Sequence, residues 1–162
     1  MKTVLISMIM MFVGVMIGYF LCWLRSLKKE KKDVQIWRKL SDKYMDMFML
    51  MNQWIKIYQS GDAVEKYFEE EGYRSVIIYG MNFIGDRLWN ELRNTEINVI
   101  CGIDKKAKSI ISDLPLITSN EEIPQADVIV VTAISSYDAI ENDLSKRVKC
   151  NIVSIEDVIY SI

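Results

Sequence analysis

Two glycines, an asparagine and an aspartate have the clearest chemical potential in this chain. Gly80 ends a short run of β-branched residues, and Gly85 opens an amphipathic segment five residues later. A first glycine would allow a sharp turn off a strand, and a second would let the next helix pack closely on the sheet. The unpaired N–H groups in the first turn of that helix would then face an anion such as a phosphate.

The motif departs from the dinucleotide-binding pattern G-x-G-x-x-G at its middle position, which is Asn82. The middle glycine is where the backbone comes nearest a pyrophosphate, and an asparagine side chain takes up room there. Asp104 stands 19 residues beyond Gly85, at the end of a second apolar run. An acid in that place accepts hydrogen bonds from an adenosine ribose, although a helix cap would explain it as well. The pattern predicts a nucleotide-type ligand; a descendant of such a fold with an empty site is the alternative.

The predicted ligand site lies at the carboxyl edge of a parallel sheet, where open α/β sheets bind their ligands. A third predicted strand brings Thr132, Ser135 and Ser136 to this edge, although Ser135 or Ser136 would serve equally as an N-cap. Lys105 and Lys106 could meet a further phosphate, but exposed lysines beside a turn need no ligand. The predicted cofactor-binding residues are Gly80, Met81, Asn82, Phe83, Ile84, Gly85, Asp104, Lys105, Thr132 and Ser135.

Strands and helices alternate around these residues. The predicted strands cover residues 75–79, 97–103, 128–132 and 151–154, and the predicted helices cover 84–93, 106–111, 137–146 and 155–160. Nearly continuous apolar strands separated by helices indicate a parallel sheet covered on both faces. The expected fold class is α/β: a small Rossmann-like parallel sheet of about four strands flanked by helices, preceded by a transmembrane helix and a long amphipathic helix.

Composition argues against several classes of function. The 162 residues leave room for one modest domain and an appendage. A formal net charge of −2 argues against a nucleic-acid-binding protein, which would show a basic face. The chain has no histidine, the usual general base near neutral pH and the commonest transition-metal ligand. Cys22, Cys101 and Cys150 are too scattered for a zinc site or a disulfide framework, and we expect buried, reduced thiols.

Residues for catalysis are hard to find. Tyr137 is followed four residues later by Glu141, so the Tyr-x-x-x-Lys pair of short-chain dehydrogenases is missing. No serine lies in a G-x-S-x-G elbow, and no cluster of carboxylates suggests a metal. We therefore interpret the domain as one that binds a ligand, without catalytic residues and without a metal site.

Residues 4–24 form an apolar run of 21 residues without a charge. At about 1.5 Å per residue, a helix of this length spans a hydrocarbon core of about 30 Å. Arg25 and four lysines follow by residue 32, so the positive-inside rule places the N-terminus outside and the remainder in the cytoplasm. A cleavable signal peptide is the alternative, but it needs a shorter apolar region and a small-residue cleavage site. We predict a retained, single-pass anchor in the inner (cytoplasmic) membrane.

The residues between the anchor and the sheet predict helices. Residues 34–60 contain no proline or glycine and predict one long helix. Its expected heptad seam consists of Trp37, Leu40, Tyr44, Met47, Met51, Trp54 and Tyr58. That seam would pack on the following domain or form a parallel homodimer, and Gly14 and Gly18 could bring two membrane helices close. Asp62 and Glu65 predict a capping box for a second, short helix. The expected domains are 1–32 (anchor), 33–72 (helical segment) and 73–162 (Rossmann-like domain).

Four segments carry a resemblance to a known group of proteins. They are residues 71–85, 102–105, 128–132 and 154–159. These segments are similar to small Rossmann-like domains met in bacterial cell-surface polysaccharide biosynthesis, some free-standing and some fused to sugar-modifying enzymes. The resemblance covers about residues 50–162, and Asn82 departs from the Gly-x-Gly-x-x-Gly that relatives often have. Related N-terminal domains of sugar acyltransferases hold a nucleotide-sugar, so the resemblance implies NAD(P) or a nucleotide-sugar as ligand and polysaccharide-biosynthesis enzymes as partners.

These observations lead to three hypotheses. The first is a membrane-anchored accessory protein of cell-surface polysaccharide biosynthesis that binds a nucleotide or nucleotide-sugar. The second is an NAD-dependent sugar-nucleotide oxidoreductase or epimerase, which the missing Tyr-x-x-x-Lys pair disfavours. The third is a ligand-sensing regulatory dimer whose long helix transmits its state to a membrane system.

Overall fold

The computed structural model describes the backbone of residues 2–162, and the side chains of residues 10–26 and 29–162. The chain forms two compact units, of which the first ends at Met45 and the second is Asp46–Ile162. Helix α1, Lys2–Ser60, runs through the boundary between them. The predicted membrane helix and amphipathic helix are therefore one helix, because no proline or glycine interrupts the charged residues between them.

The described part of α1 is long and apolar enough to cross a membrane, by its length and composition. Its most apolar 18-residue window has a mean hydropathy of 1.7, and none of that window is buried inside the protein. The chain therefore has one candidate membrane span among its described residues, near the N-terminus. Cys22 is exposed on this helix, whereas Cys101 is buried as expected and Cys150 is partly buried in the second unit.

The second unit contains a five-stranded parallel sheet. Its strands are β1 (Ser75–Tyr79), β2 (Asn98–Ile103), β3 (Leu116–Ile117), β4 (Val128–Val131) and β5 (Asn151–Ser154). Its further helices are α2 (Glu65–Glu70), α3 (Phe83–Leu92), α4 (Tyr137–Leu144) and α5 (Ile155–Tyr160), with 3₁₀ turns at Ala107–Ser109 and Ile134–Ser136. The order of the strands is β3-β2-β1-β4-β5. The predicted α/β class and parallel sheet are confirmed, with one more strand than the four expected.

The two faces of the sheet carry separate hydrophobic clusters. Alternate residues of a strand point to opposite faces, so Val76 and Ile78 join the cluster that includes α3 and α5. Ile77 joins the other cluster, with Ile129 and Leu144 of α4. All four residues of β4 are buried, which explains its uninterrupted apolar sequence.

The last turns of α1 pack in the first of these clusters. Leu50, Trp54 and Ile57 are almost fully buried, and the indole N–H of Trp54 donates to Glu91 Oε1 at 2.8 Å. Tyr58 is 79% exposed although it belongs to the same predicted seam as Trp54. The prediction of one seam is therefore wrong. The residues that face the sheet are Leu50, Trp54 and Ile57, which follow the spacing i, i+4 and i+7. The residues predicted at a and d positions therefore lie on two different sides of the helix.

The predicted capping box of α2 is also wrong. The N-cap position is Val64, which makes no side-chain cap, and Val64 is buried. The Glu65 carboxylate instead accepts the N–H of Glu96 at 3.0 Å, and Asp62 lies 3.7 Å from Lys66 Nζ. Helix α2 therefore begins at Glu65, and Val64 stands at the N-cap position instead of the predicted Asp62.

Replacing Leu50 with alanine is expected to destabilise the second unit by about 3 kcal/mol, because the side chain is fully buried and its removal leaves a cavity. Thermal unfolding of the detergent-solubilised chain, followed by near-ultraviolet circular dichroism, measures the effect. Lys56→Ala is the matched control on an exposed position of the same helix and should change stability by less than about 0.5 kcal/mol. Equal midpoints for the two variants would contradict this packing of α1.

Candidate ligand-binding site

The turn between β1 and α3 depends on Gly80. This residue has a φ of +100°, in the left-handed region that favours glycine. Its N–H donates to Ile103 O of β2 at 2.7 Å. A Cβ atom at this position would lie 2.7 Å from Thr132 Oγ1, which follows β4. The turn is thus enclosed by both neighbouring strands, and the predicted sharp turn at Gly80 is confirmed.

Gly85 allows the helix to approach this turn closely. A Cβ atom on Gly85 would overlap the carbonyl oxygen of Gly80 and lie 3.4 Å from Ile78 Cγ2. Any larger residue would therefore push α3 away from β1. The predicted role of Gly85 in close packing of helix on sheet is confirmed.

Asn82 caps the helix that follows. Its Oδ1 accepts the N–H groups of Ile84 at 2.8 Å and Gly85 at 3.2 Å, and its backbone is extended rather than left-handed. Asparagine is among the best N-cap residues because its short side chain reaches these N–H groups. The sequence predicted that the N–H groups in the first turn of α3 stay unpaired and face an anion. For Ile84 and Gly85 this prediction is wrong, because both N–H groups already donate to the side-chain oxygen of Asn82.

Asp104 is engaged in the same loop region. Its Oδ2 accepts the N–H of Met81 at 3.0 Å, and its Oδ1 accepts the N–H of Lys106 at 2.8 Å. The carboxylate therefore joins the β1–α3 turn to the segment after β2. The 3₁₀ turn that follows has Lys106 at its N-cap and no side-chain cap, so the alternative that Asp104 caps a helix beginning at Lys105 is wrong. Each carboxylate oxygen retains capacity for one more hydrogen bond, so contact with a ribose stays a prediction.

The other predicted residues have different surroundings. Thr132 is buried, and its hydroxyl lies 2.5 Å from Gly80 O and 3.2 Å from Tyr79 O, so it braces the turn. Ser135 is exposed, and Phe83 is 87% exposed at the start of α3. Ile84 is buried in the hydrophobic cluster beneath. These side chains do not form one continuous binding surface.

A cavity of about 930 Å³ opens beside this turn. Tyr79 at the end of β1, Ile103 at the end of β2 and Ala133 after β4 contribute to its walls. This is the carboxyl edge of the sheet, at the point where the chain leaves β1 for β2 on one side and later returns to β4 on the other. Ligands of open α/β folds bind at such switch points.

Sequence analysis anticipated part of the lining. The predicted residues that line the cavity are Gly80, Asn82, Asp104 and Lys105, together with Lys106. Ser136, which the sequence also placed at this edge, lines the cavity as well. The charged and amide or hydroxyl residues that the sequence analysis missed are Ser119, Asn120, Asp143 and Arg147. These four come from a loop after an unrecognised two-residue strand and from the end of α4 and beyond.

Arg147 connects two walls of the cavity. Its guanidinium donates to Ser119 O at 2.6 Å and to Glu121 O at 3.0 Å, and lies 3.9 Å from an oxygen of Asp143. The loop after β3 is therefore tied to the segment after α4. Lys105 and Lys106 are exposed and also line the cavity, so the lining contains three cationic and two anionic side chains.

Two tyrosines near the edge of the sheet are held protonated. Burial and then the charge of Asp143 raise the pKa of Tyr79 above its ordinary value. Burial and the neighbouring Glu141 raise the pKa of Tyr137 to about 12, and its hydroxyl lies 3.1 Å from Ile152 O. A lysine four residues after the tyrosine would lower this pKa, whereas Glu141 raises it. The Tyr137 phenol is thus unsuited to the proton transfer of short-chain dehydrogenases.

A family profile described as C2185-like, N-terminal, matches residues 72–155, which is just over half of the chain. The chain belongs to this family. Neither the curated proteins nor the solved structures gave a match. The matched C2185-like stretch contains all five strands and every residue that lines the cavity.

Replacing Asn82 with alanine is expected to destabilise the C2185-like domain by about 1 kcal/mol, because two N–H groups of α3 lose their acceptor. The midpoint of chemical denaturation measures the effect. Asn82→Asp keeps an acceptor oxygen and places a negative charge at the helix N-terminus, so it should retain the native stability. If the alanine and aspartate variants unfold at the same midpoint, the cap does not stabilise the domain.

Proposed function

We propose that the C2185-like domain binds a nucleotide or nucleotide-sugar beneath the membrane to which α1 anchors it, as an accessory to cell-surface polysaccharide biosynthesis. The observation that carries this proposal is the cavity at the switch point of the sheet, with cationic side chains at its walls. Its volume of about 930 Å³ lies within the range of small-molecule sites.

The cavity is lined both by apolar residues and by polar or charged residues. A nucleotide-sugar likewise has less polar parts, the base and the face of the sugar, and an anionic part, the phosphates. Ala133, Ala139 and Ile140 offer apolar surface for a base or the face of a sugar. Lys105 and Lys106 offer ammonium groups that attract phosphate oxygens. Asn120 and Ser136 add polar groups that can recognise hydroxyls. This division favours a ligand with one anionic and one less polar part.

A nucleotide-sugar is favoured over NAD by the cap at α3. In the usual dinucleotide mode the pyrophosphate sits on the N–H groups at the start of this helix. Here the side chain of Asn82 accepts two of those groups, and Asp104 accepts the N–H of Met81. The anion would therefore be recognised by lysine side chains rather than by the backbone. The oxidoreductase alternative is disfavoured because Glu141 stands where the lysine of a Tyr-x-x-x-Lys pair would be, and because Tyr137 does not line the cavity.

The proposed setting rests on the anchor and on the resemblance. The apolar run in α1 and the basic residues up to position 32 favour a single pass with the C-terminal domain in the cytoplasm. The resemblance to domains of bacterial cell-surface polysaccharide biosynthesis supplies the biological setting. Polysaccharide-biosynthesis enzymes are the partners that this setting suggests.

Isothermal calorimetry of the detergent-solubilised chain with UDP-sugars, NAD and NADP tests the proposal. We expect a UDP-sugar to bind, and Lys105→Ala combined with Lys106→Ala to weaken it by about tenfold or more, because two phosphate-facing charges are lost. Lys108→Ala is the matched control, because Lys108 is exposed on the 3₁₀ turn that follows these lysines and lies outside the cavity lining. Absence of binding by every nucleotide, or equal weakening by the control, would overturn the ligand assignment.

Asn82→Gly restores the G-x-G-x-x-G pattern and frees the N–H groups of Ile84 and Gly85. We expect this variant to bind NAD at least about tenfold more tightly than the native chain, because its helix N-terminus becomes available to the pyrophosphate. Its stability should fall by only a few tenths of a kcal/mol, since glycine is itself an acceptable N-cap. Unchanged NAD affinity in a folded variant would show that the cap does not control the ligand.

A further inference from the structure

Helix α1 carries a second apolar stripe that the sheet does not cover. In the second unit it consists of Phe48, Met51, Ile55 and Tyr58, which we call the outer stripe. Phe48 is 65% exposed, Ile55 is 53% exposed and Tyr58 is 79% exposed, whereas Met51 is partly buried. Met51 also packs against the hydrophobic cluster on the sheet, whereas Phe48, Ile55 and Tyr58 do not belong to that cluster. Among the described residues, these three side chains of the outer stripe have no partner in the domain.

The outer stripe has the spacing of a coiled-coil seam. Its members alternate in steps of three and four residues, and the same steps continue toward the N-terminus. The complete series is Val34, Trp37, Ser41, Tyr44, Phe48, Met51, Ile55 and Tyr58. Trp37 is 68% exposed and Tyr44 is 56% exposed in the first unit. The series covers 25 residues, or about 37 Å of helix, and so exceeds three heptads.

We propose that a second copy of this chain covers the outer stripe, forming a parallel two-stranded coiled coil over residues 34–58. Seven of the eight seam positions are apolar or aromatic, and coiled coils bury such a seam on an identical seam. The series places Val34 and Ile55 at a positions, where β-branched residues favour two strands. The proposal is independent of the ligand that the cavity binds.

The membrane anchor and one charge pair favour the parallel arrangement. When two copies are inserted in the membrane with the same orientation, each residue lies at the same depth as its counterpart in the other copy, which aligns the two seams. Confinement to the membrane also raises the local concentration of the chains. Asp33 and Arg38 occupy flanking g and e positions five residues apart. In a parallel pair, Asp33 of one copy faces Arg38 of the other; in an antiparallel pair, g faces g and e faces e. Charge complementarity therefore agrees with the orientation that the anchor imposes.

Cysteine cross-linking of the full-length chain in lipid vesicles tests the seam. Ile55→Cys is placed in a background of Cys22→Ser and Cys150→Ser, with the buried Cys101 retained. After mild oxidation we expect a disulfide-linked dimer to form at least about tenfold faster than with Lys56→Cys, an exposed control on another side of the helix. Equal rates at the two positions would overturn the proposal. So would cross-linking of Ile55→Cys to a different protein in native membranes without a self-linked dimer.

Counting subunits by single-molecule photobleaching in dilute lipid nanodiscs gives a second test. We expect the native chain to show two copies, and Phe48→Glu combined with Ile55→Glu to reduce the dimer by at least about tenfold, because carboxylates in the seam repel each other. Lys56→Glu should leave the dimer intact. Circular dichroism checks that the charged variant keeps its sheet, since both altered residues are exposed. A native chain that is monomeric, or a charged variant that still pairs, would overturn the proposal.

Discussion

The contact between Gly80 and Gly85 is the constraint on which the rest of the domain depends. The carbonyl of Gly80 lies where a side chain on Gly85 would stand, so the backbones of α3 and of the turn after β1 approach each other directly at this point. The same carbonyl accepts the hydroxyl of Thr132, and the N–H of Gly80 binds Ile103 O in β2. The turn at Gly80 thereby contacts β2, the residue after β4 and the start of α3, and holds them in place relative to β1. The cavity exists beside it because these strands end at the same level.

The side chain of Asn82 changes what this turn can do. In a helix that binds phosphate, the first N–H groups are left for the ligand, and the fold tolerates unsatisfied donors until the ligand arrives. Here an internal amide oxygen satisfies two of them. The helix is therefore capped without a ligand. In the proposed function, the contacts to phosphate come from side chains around the cavity instead of these N–H groups.

Much of the fold was predictable because strong local signals agree with the tertiary structure. β5 and α5 lie where predicted, since Ser154 and Asp157 form a capping box at their junction. β3 was missed because two residues cannot show a periodicity. The heptad prediction failed in assigning faces, because Trp54 packs on the sheet and Tyr58 does not. The glycines and Asp104 were recognisable from spacing, whereas Asn120 and Arg147 reach the cavity through loops that only the folded chain brings together.

Arg147 gives the cavity a mechanical property beyond charge. Its guanidinium holds the carbonyls of Ser119 and Glu121, so the wall formed by that loop is fastened by a single side chain. An anion that engages the guanidinium has to compete with those carbonyls, and the loop is released to the extent that the anion succeeds. If an anion bound there, its affinity and the freedom of the loop would each change the other by the same free energy. The side chain of Arg147 would then couple a bound small molecule to a change on the protein surface.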